Sequence, residues 1–77
     1  MNPWTIAYTV RKEEKIVIST IKPPCLSWYG KYETAISLDG NTWRIAAVYD
    51  TKEESIKGHE KYAKMTKEEI LDLSYID

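Results

Sequence analysis

The first half of the chain alternates large apolar side chains with small ones. Between residues 4 and 10 the large side chains are Trp4, Ile6, Tyr8 and Val10. This period of two is typical of a strand with one buried face, which we expect these four residues to form. After the polar residues 11–14, a β-branched run over residues 15–21 predicts a second, antiparallel strand. Pro23 and Pro24 end that strand because proline lacks a backbone donor, and a loop follows to Gly30.

Two further alternating runs predict a β-hairpin. The side chains expected to face the core are Tyr32, Thr34, Ile36 and Leu38 in the third strand and Trp43, Ile45, Ala47 and Tyr49 in the fourth. The alternate residues of the fourth strand, Arg44 among them, are expected to face away from the core. Asp39 and Gly40 lie between the runs, and this dipeptide tolerates the positive φ angles of a tight hairpin turn.

The pattern changes to that of a helix at residue 51. Thr51 and Glu54 match a capping box, and Thr66 and Glu69 match a second one fifteen residues later in the chain. One long helix is the alternative, because apolar residues also recur at spacings of three and four across the junction. We favour a break near Met65, since threonine stabilises a helix as its N-cap and is mildly unfavourable within it.

This order of elements predicts a single domain over residues 1–77. We expect an α+β fold in which a four-stranded antiparallel sheet is followed by one or two C-terminal helices packed on one face, a two-layer sandwich. Both sets of alternating side chains in the second strand are largely apolar. One face of the sheet therefore needs cover beyond a single helix, and we expect a homodimer, formed by edge pairing or by packing of sheet faces.

Composition narrows the classes of function. The 11 Lys plus Arg and 12 Asp plus Glu give a net charge of -1, which disfavours nonspecific nucleic-acid binding. One cysteine, Cys25, and one histidine, His59, supply neither an internal disulfide nor a structural zinc site, so we predict no metal and no cofactor. The first residues resemble neither a signal peptide nor a membrane segment, so we expect a cytoplasmic protein without membrane contact.

Gly58 and His59 are predicted to have structural roles. His59 lies on the apolar stripe of the helix that also contains Ile56, and we expect it to be packed and hydrogen-bonded to a backbone carbonyl or to Glu33. Gly58 beside it would let the helix approach the sheet closely, which offsets the cost of glycine in a helix. A catalytic pair with Cys25 would have to be assembled by folding, and no local signature supports it. We therefore predict no catalytic residue.

The loop over residues 23–30 is the predicted binding segment. Leu26, Trp28 and Tyr29 follow the two prolines, and Trp and Tyr dominate the hot spots of protein interfaces. In the alternative interpretation, Trp28 folds back and covers an end of the sheet. Lys31, Trp43 and Arg44 complete the candidate binding residues.

Three segments of the chain are similar to a known family. They are residues 17–20, reading Val-Ile-Ser-Thr, residues 32–36, reading Tyr-Glu-Thr-Ala-Ile, and residues 49–59, reading Tyr-Asp-Thr-Lys-Glu-Glu-Ser-Ile-Lys-Gly-His. Over residues 17–64 the chain resembles a family of short bacteriophage proteins of uncharacterised function. It departs from the family pattern after Thr20, where it reads Ile-Lys-Pro-Pro-Cys-Leu. The resemblance implies phage or prophage origin, hence the cytoplasm of a bacterial host, and it implies no activity.

These observations predict a non-enzymatic accessory protein that acts by stoichiometric binding and inhibits a host protein of defence or replication. One alternative is an oligomeric sponge for a signalling nucleotide. In that alternative Trp28, Tyr29 or Trp43 would stack on the base, and the phosphate would contact Lys31 or Arg44. A second alternative is a component of the virion or of its assembly.

Overall fold

The computed structural model describes residues 4–22 and 31–76. In this part of the chain a sheet of four antiparallel strands in the order β1-β2-β3-β4 is followed by two helices, as predicted. The strands are β1 (Thr5–Arg11), β2 (Ile16–Ile21), β3 (Tyr32–Ser37) and β4 (Trp43–Tyr49), and the helices are α1 (Lys52–Lys64) and α2 (Lys67–Leu71). The α+β fold class is confirmed.

Local side-chain chemistry sets the ends of the elements. At the β3–β4 turn, Asp39 Oδ1 accepts from the backbone N–H groups of Asn41 and Thr42 at 2.8 and 2.7 Å, and Gly40 has a φ of 84°. These N–H donors lower the pKa of Asp39. Both predicted capping boxes are present, at Thr51 and at Thr66, so the chain forms two helices.

The hydrophobic core lies between the helices and one side of the sheet. It contains isoleucines from β2, β3 and α2 together with a tyrosine of α1: Ile16, Ile18, Ile36, Ile70 and Tyr62. Arg11 ties β1 to the junction of the helices through a 2.5 Å hydrogen bond from its guanidinium to the carbonyl oxygen of Met65. The C-terminal segment reaches β4, where the N–H of Ile76 donates to the carbonyl of Ile45 at 2.8 Å.

The predicted buried face of β1 is wrong for Tyr8 and Val10. These two residues lie on the side of the sheet opposite the helices, and each is 47% exposed. Ala7 and Thr9 face the helices instead, with Thr9 bonded to a helix side chain. Their small side chains leave room for α1.

The pairing of β1 is irregular near its beginning. The register shifts between Thr5 and Ala7, so Thr5 lies beside Ile21 on the side opposite the helices.

The predicted face of β4 is correct for only half of the strand. The register shifts so that Ala46 has no partner, with Ala47 opposite Thr34 and Ile45 opposite Ala35. An extra residue of this kind reverses the side on which the following residues lie. Trp43 and Ile45 therefore lie on the side opposite the helices, and Arg44 lies on the helix side, contrary to expectation.

The helix stripe also differs from expectation at one position. The residues of α1 that are buried against the sheet are Ser55, His59 and Tyr62. Ile56 is 38% exposed, because it is one position out of phase with that row.

Candidate functional site

The side of the sheet opposite the helices is an apolar surface, which we call the open face. Residues that pair across antiparallel strands share a face, so the pairing of Tyr8 with Ser19 and of Ser19 with Ala35 defines one row across it. Thr5, Ile21, Glu33 and Val48 form the neighbouring row. Trp43 is 41% exposed on the same face. Large, partly exposed aromatic side chains on a sheet face are typical of a protein-binding surface.

A cleft of about 260 Å³ lies in the open face. Tyr8 on β1 and Trp43 on β4 form its sides, because they are large residues on the two edge strands. Ser19 and Ala35, on the two central strands, form its floor with small side chains. This distribution of sizes makes the sheet surface concave between the two aromatic rings. We call this feature the Tyr8–Trp43 cleft.

Glu33 is the one ionisable residue among the six that line the cleft. It lines the cleft with Ile21, its cross-strand neighbour. Its Oε2 atom is buried, and the residue takes part in an interaction within the protein. Lys31, which directly precedes β3, forms an ion pair with Asp50. The carboxyl group of Glu33 is therefore part of the packing of the sheet face, and the character of the cleft comes from its apolar and aromatic lining.

The structure does not bring the predicted binding residues together. Trp43 lies on the open face, whereas Arg44 lies on the helix side with its guanidinium 4.5 Å from the ring centre of Tyr75. Lys31 lies beside Asp50, at the end of the β3–β4 pair opposite to Trp43. Leu26, Trp28 and Tyr29 lie outside the described residues.

A second cavity, of about 220 Å³, lies on the helix side of the β3–β4 hairpin. Arg44 and Tyr75 line it together with Asp39, and Ile36 supplies an apolar wall. Arg44 and Asp39 carry opposite charges, so the cavity favours neither sign of ligand. The cavity lies under the C-terminal segment and is a packing gap between Tyr75 and the β3–β4 hairpin.

His59 is at the centre of a buried network of hydrogen bonds. Its Nε2 lies 2.8 Å from Thr9 Oγ1, and its Nδ1 lies 2.7 Å from Thr20 Oγ1. Thr20 Oγ1 is 2.7 Å from Thr34 Oγ1, and Thr34 donates to the hydroxyl of Tyr49 at 3.3 Å. Threonine hydroxyls therefore hold the ring, and the predicted bond to Glu33 or to a backbone carbonyl is wrong. Glu33 is on the other side of the sheet.

The direction of the network is linked to the tautomer of His59. If Thr34 donates to Tyr49 and accepts from Thr20, the Thr20 oxygen is left to accept from the ring. A proton on Nδ1, with Nε2 accepting from Thr9, is the tautomer that matches this direction. Burial lowers the pKa of His59 below its usual value, so the neutral ring is favoured. The ring is 5% exposed, and both of its nitrogens are occupied by protein hydroxyls.

Gly58 allows the close approach of α1 to the sheet. A Cβ atom at this position would lie 2.5 Å from Cε1 of Tyr49, and closer still to Cζ and to the hydroxyl oxygen. Ordinary carbon contacts are about 3.5–4.0 Å. The ring of Tyr49 thus occupies the space of a side chain at residue 58, and any larger residue there must displace the ring.

Sequence reasoning missed Tyr8 and Glu33 as surface residues of the open face. The period of two predicts Tyr8 in the core, because it matches that of a buried face. The opposite set, Ala7 and Thr9, carries the signal against this prediction, since small side chains suit close packing against a helix. Glu33 is predicted only as a hydrogen-bond partner of His59.

Residues 4–22 and 31–76 contain neither a cluster of metal ligands nor a membrane-spanning helix. In these ranges no cluster of three or more His, Cys, Asp or Glu side chains could hold a metal ion. No helix formed by the same residues combines the length and the apolar character needed to cross a bilayer.

Comparison of the chain with protein-family models, with curated proteins and with solved structures gave no match. The resemblance to phage proteins therefore stays a prediction from sequence, and the functional argument below depends on the geometry of the chain itself.

Proposed function

We propose that this protein acts by stoichiometric binding to another protein, and that the open face is its binding surface. The observation that carries the proposal is the pair of partly exposed aromatic side chains, Tyr8 and Trp43, on either side of a cleft in an apolar sheet face. Aromatic anchors around a pocket are the usual centres of protein interfaces. The resemblance to phage proteins supports a host protein of defence or replication as the partner, which binding would inhibit.

Binding without catalysis is favoured by the state of His59. An acid–base catalyst must reach its substrate, and both nitrogens of this ring are bonded to threonine hydroxyls within the protein. The sponge alternative receives less support than protein binding. Trp43 and Arg44 are on opposite sides of the sheet, so they cannot contact the base and the phosphate of one nucleotide at the same site.

A homodimer through the open face stays a prediction. We propose a different protein as the main occupant, because the resemblance to phage proteins favours a host partner.

Variants at residues of similar exposure test the proposal. The double variant Tyr8→Ser and Trp43→Ser removes the two anchors, and Ile56→Ser removes a side chain of similar exposure from the helix layer. Tagged native protein and both variants are used to capture proteins from a bacterial host lysate, and the captured protein is then purified and titrated. We expect saturation at a fixed ratio, an affinity lowered more than about tenfold by the double variant, and no change with Ile56→Ser.

The same variants also define the results that would contradict the proposal. Equal capture by the native protein and the double variant, with both folded, would refute the open face as the binding surface. If the double variant instead converts a native dimer to a monomer in sedimentation equilibrium, the occupant is a second copy of this chain. A melting temperature lowered by only a few degrees is expected, because partly exposed side chains contribute little to folding.

A further inference from the structure

The two edge strands of the sheet, β1 and β4, differ in what lies beside them. The C-terminal segment contacts β4, where the N–H of Ile76 donates to the carbonyl of Ile45. Within residues 4–22 and 31–76, no strand pairs with the outer side of β1. We propose that β1 pairs antiparallel with β1 of a second copy of this chain, around a two-fold axis at Thr9. This contact is separate from the binding of a different protein to the open face.

The backbone of an edge strand can bond a further strand. Alternate residues of β1 direct their N–H and C=O groups away from β2, and a row of such groups is a template for strand pairing. Proteins commonly prevent this pairing by placing Lys or Pro in the edge strand. β1 contains neither residue type, and none of its residues before Arg11 is charged. The chemistry of this edge therefore fits another β-strand.

The regular part of β1 sets the position of the two-fold axis. The register with β2 shifts between Thr5 and Ala7, and an irregularity of this kind hinders the addition of a strand at that end. From Ala7 to Arg11 the pairing with β2 is continuous, and Thr9 is the middle residue of this segment. Two identical antiparallel segments match along their whole length only when the axis passes through the middle residue.

The side chains of the segment are complementary to those of a second copy. An axis at Thr9 places Tyr8 of each copy opposite Val10 of the other, on the side of the sheet where both residues are 47% exposed. Cross-strand pairs of an aromatic and a β-branched residue stabilise antiparallel sheets. On the helix side, Arg11 lies opposite Ala7 of the other copy, whose small side chain leaves space for it.

Charge and symmetry also favour a second copy. Arg11 is the only charged residue of β1, and antiparallel pairing keeps the Arg11 side chains of the two copies at opposite ends of the segment. Each copy has a net charge of -1, so the repulsion between two copies is small. A two-fold contact closes on itself, so two four-stranded sheets become one sheet with β4 as both outer strands. Of the two modes of dimerisation expected from the sequence, this is edge pairing.

Sedimentation equilibrium of the native protein and three variants tests the contact. The native protein is expected to form a species of twice the 9.0 kDa chain mass at high micromolar concentration. Val10→Lys should raise the dissociation constant of this dimer at least about tenfold, because a lysine in an edge strand opposes pairing. Leu71→Lys adds the same charge at an exposed residue of α2 and should leave the constant unchanged. Trp43→Ser changes only the far edge of the open face and should also leave it unchanged.

Isotope-filtered NMR locates the contact in the native protein. In an equal mixture of ¹³C-labelled and unlabelled protein, filtered NOEs report only contacts between copies, and we expect them between the Tyr8 ring and the Val10 methyl groups. A native monomer at all concentrations, a dimer that Val10→Lys leaves intact, or contacts between copies at Trp43 would overturn the proposal. Because the double variant of the open face also changes Tyr8, loss of the dimer with Trp43→Ser alone would indicate packing of sheet faces instead. The native NOEs decide the matter even where Val10→Lys does not fold.

Discussion

The contact between Gly58 and Tyr49 predicts the effect of Gly58→Ala on the free energy of unfolding. We expect the sign of this effect to depend on the residue at position 49. Replacement of Gly58 by alanine places a methyl group 2.5 Å from Cε1 of Tyr49 and closer to Cζ and the hydroxyl oxygen. The ring must move by about 1 Å or more to restore ordinary contact distances of about 3.5 Å. Such a movement also breaks the 3.3 Å hydrogen bond from Thr34 to Tyr49.

Two opposing terms give the size of the effect. Overpacking of this severity costs about 3 kcal/mol, at the upper end of the usual range. Alanine within a helix is more favourable than glycine by about 1 kcal/mol. We therefore expect Gly58→Ala to lower the free energy of unfolding by about 2 kcal/mol, which corresponds to a melting temperature about 8–16 °C lower for a domain of this size.

Removal of the ring should reverse the sign. In a Tyr49→Val background the three ring atoms in conflict are absent and a β-branched residue keeps the strand, so Gly58→Ala should stabilise by about 1 kcal/mol. Tyr49→Phe is the matched control, because it removes only the hydroxyl and leaves Cε1 and Cζ in place. Gly58→Ala should still destabilise in that background.

Urea unfolding of the six proteins, followed by circular dichroism, measures these differences as a double-mutant cycle. The expected coupling between Gly58→Ala and Tyr49→Val is about 3 kcal/mol. A stabilising Gly58→Ala in the native background, or an equal effect in the valine background, would show that α1 does not approach the sheet through this contact.

Three further predictions follow from the same structure. Burial lowers the pKa of His59 in the folded protein, so the unfolded chain binds a proton first as the pH falls below about 6.5, and stability should decrease from there toward the folded pKa. In thermal melts, His59→Gln should flatten this loss of stability between about pH 7 and 5. A His59 pKa at or above about 6.5 by NMR would contradict the burial of the ring. Long-range ¹H–¹⁵N spectra at pH 8 should show the His59 proton on Nδ1, and a proton on Nε2 would reverse the direction of the threonine network. Thr66→Ala removes the acceptor for the N–H of Glu69 and should cost about 1 kcal/mol in urea unfolding, whereas Thr66→Ser, which keeps the hydroxyl, should cost little.

The homodimer expected from sequence is tested by sedimentation equilibrium at high micromolar concentration. A species of twice the 9.0 kDa chain mass would support it, and a monomer throughout the concentration range would contradict it.

The elements and their ends can be predicted from the sequence, because the signals for these are local. Asp39 and Gly40 form the β3–β4 turn through backbone conformation and a side chain that bonds two and three residues ahead. Thr51 and Thr66 begin the helices through bonds to residues three positions later. Trp43 was selected as a binding candidate on residue type, and its exposure is consistent with that role.

Which face of each edge strand is buried depends on contacts between residues that are distant in the chain. The period of two is the same for either face, and the choice at β1 depends on α1, whose His59 bonds to Thr9 across a separation of fifty residues. The irregular pairing at Ala46 places Trp43 and Arg44 on faces that a regular strand would have exchanged. The cleft depends on both, because it unites Tyr8 and Trp43 from the two edges of the sheet with Glu33 from its centre. Residues this far apart in the chain acquire a common surface only when all four strands have paired.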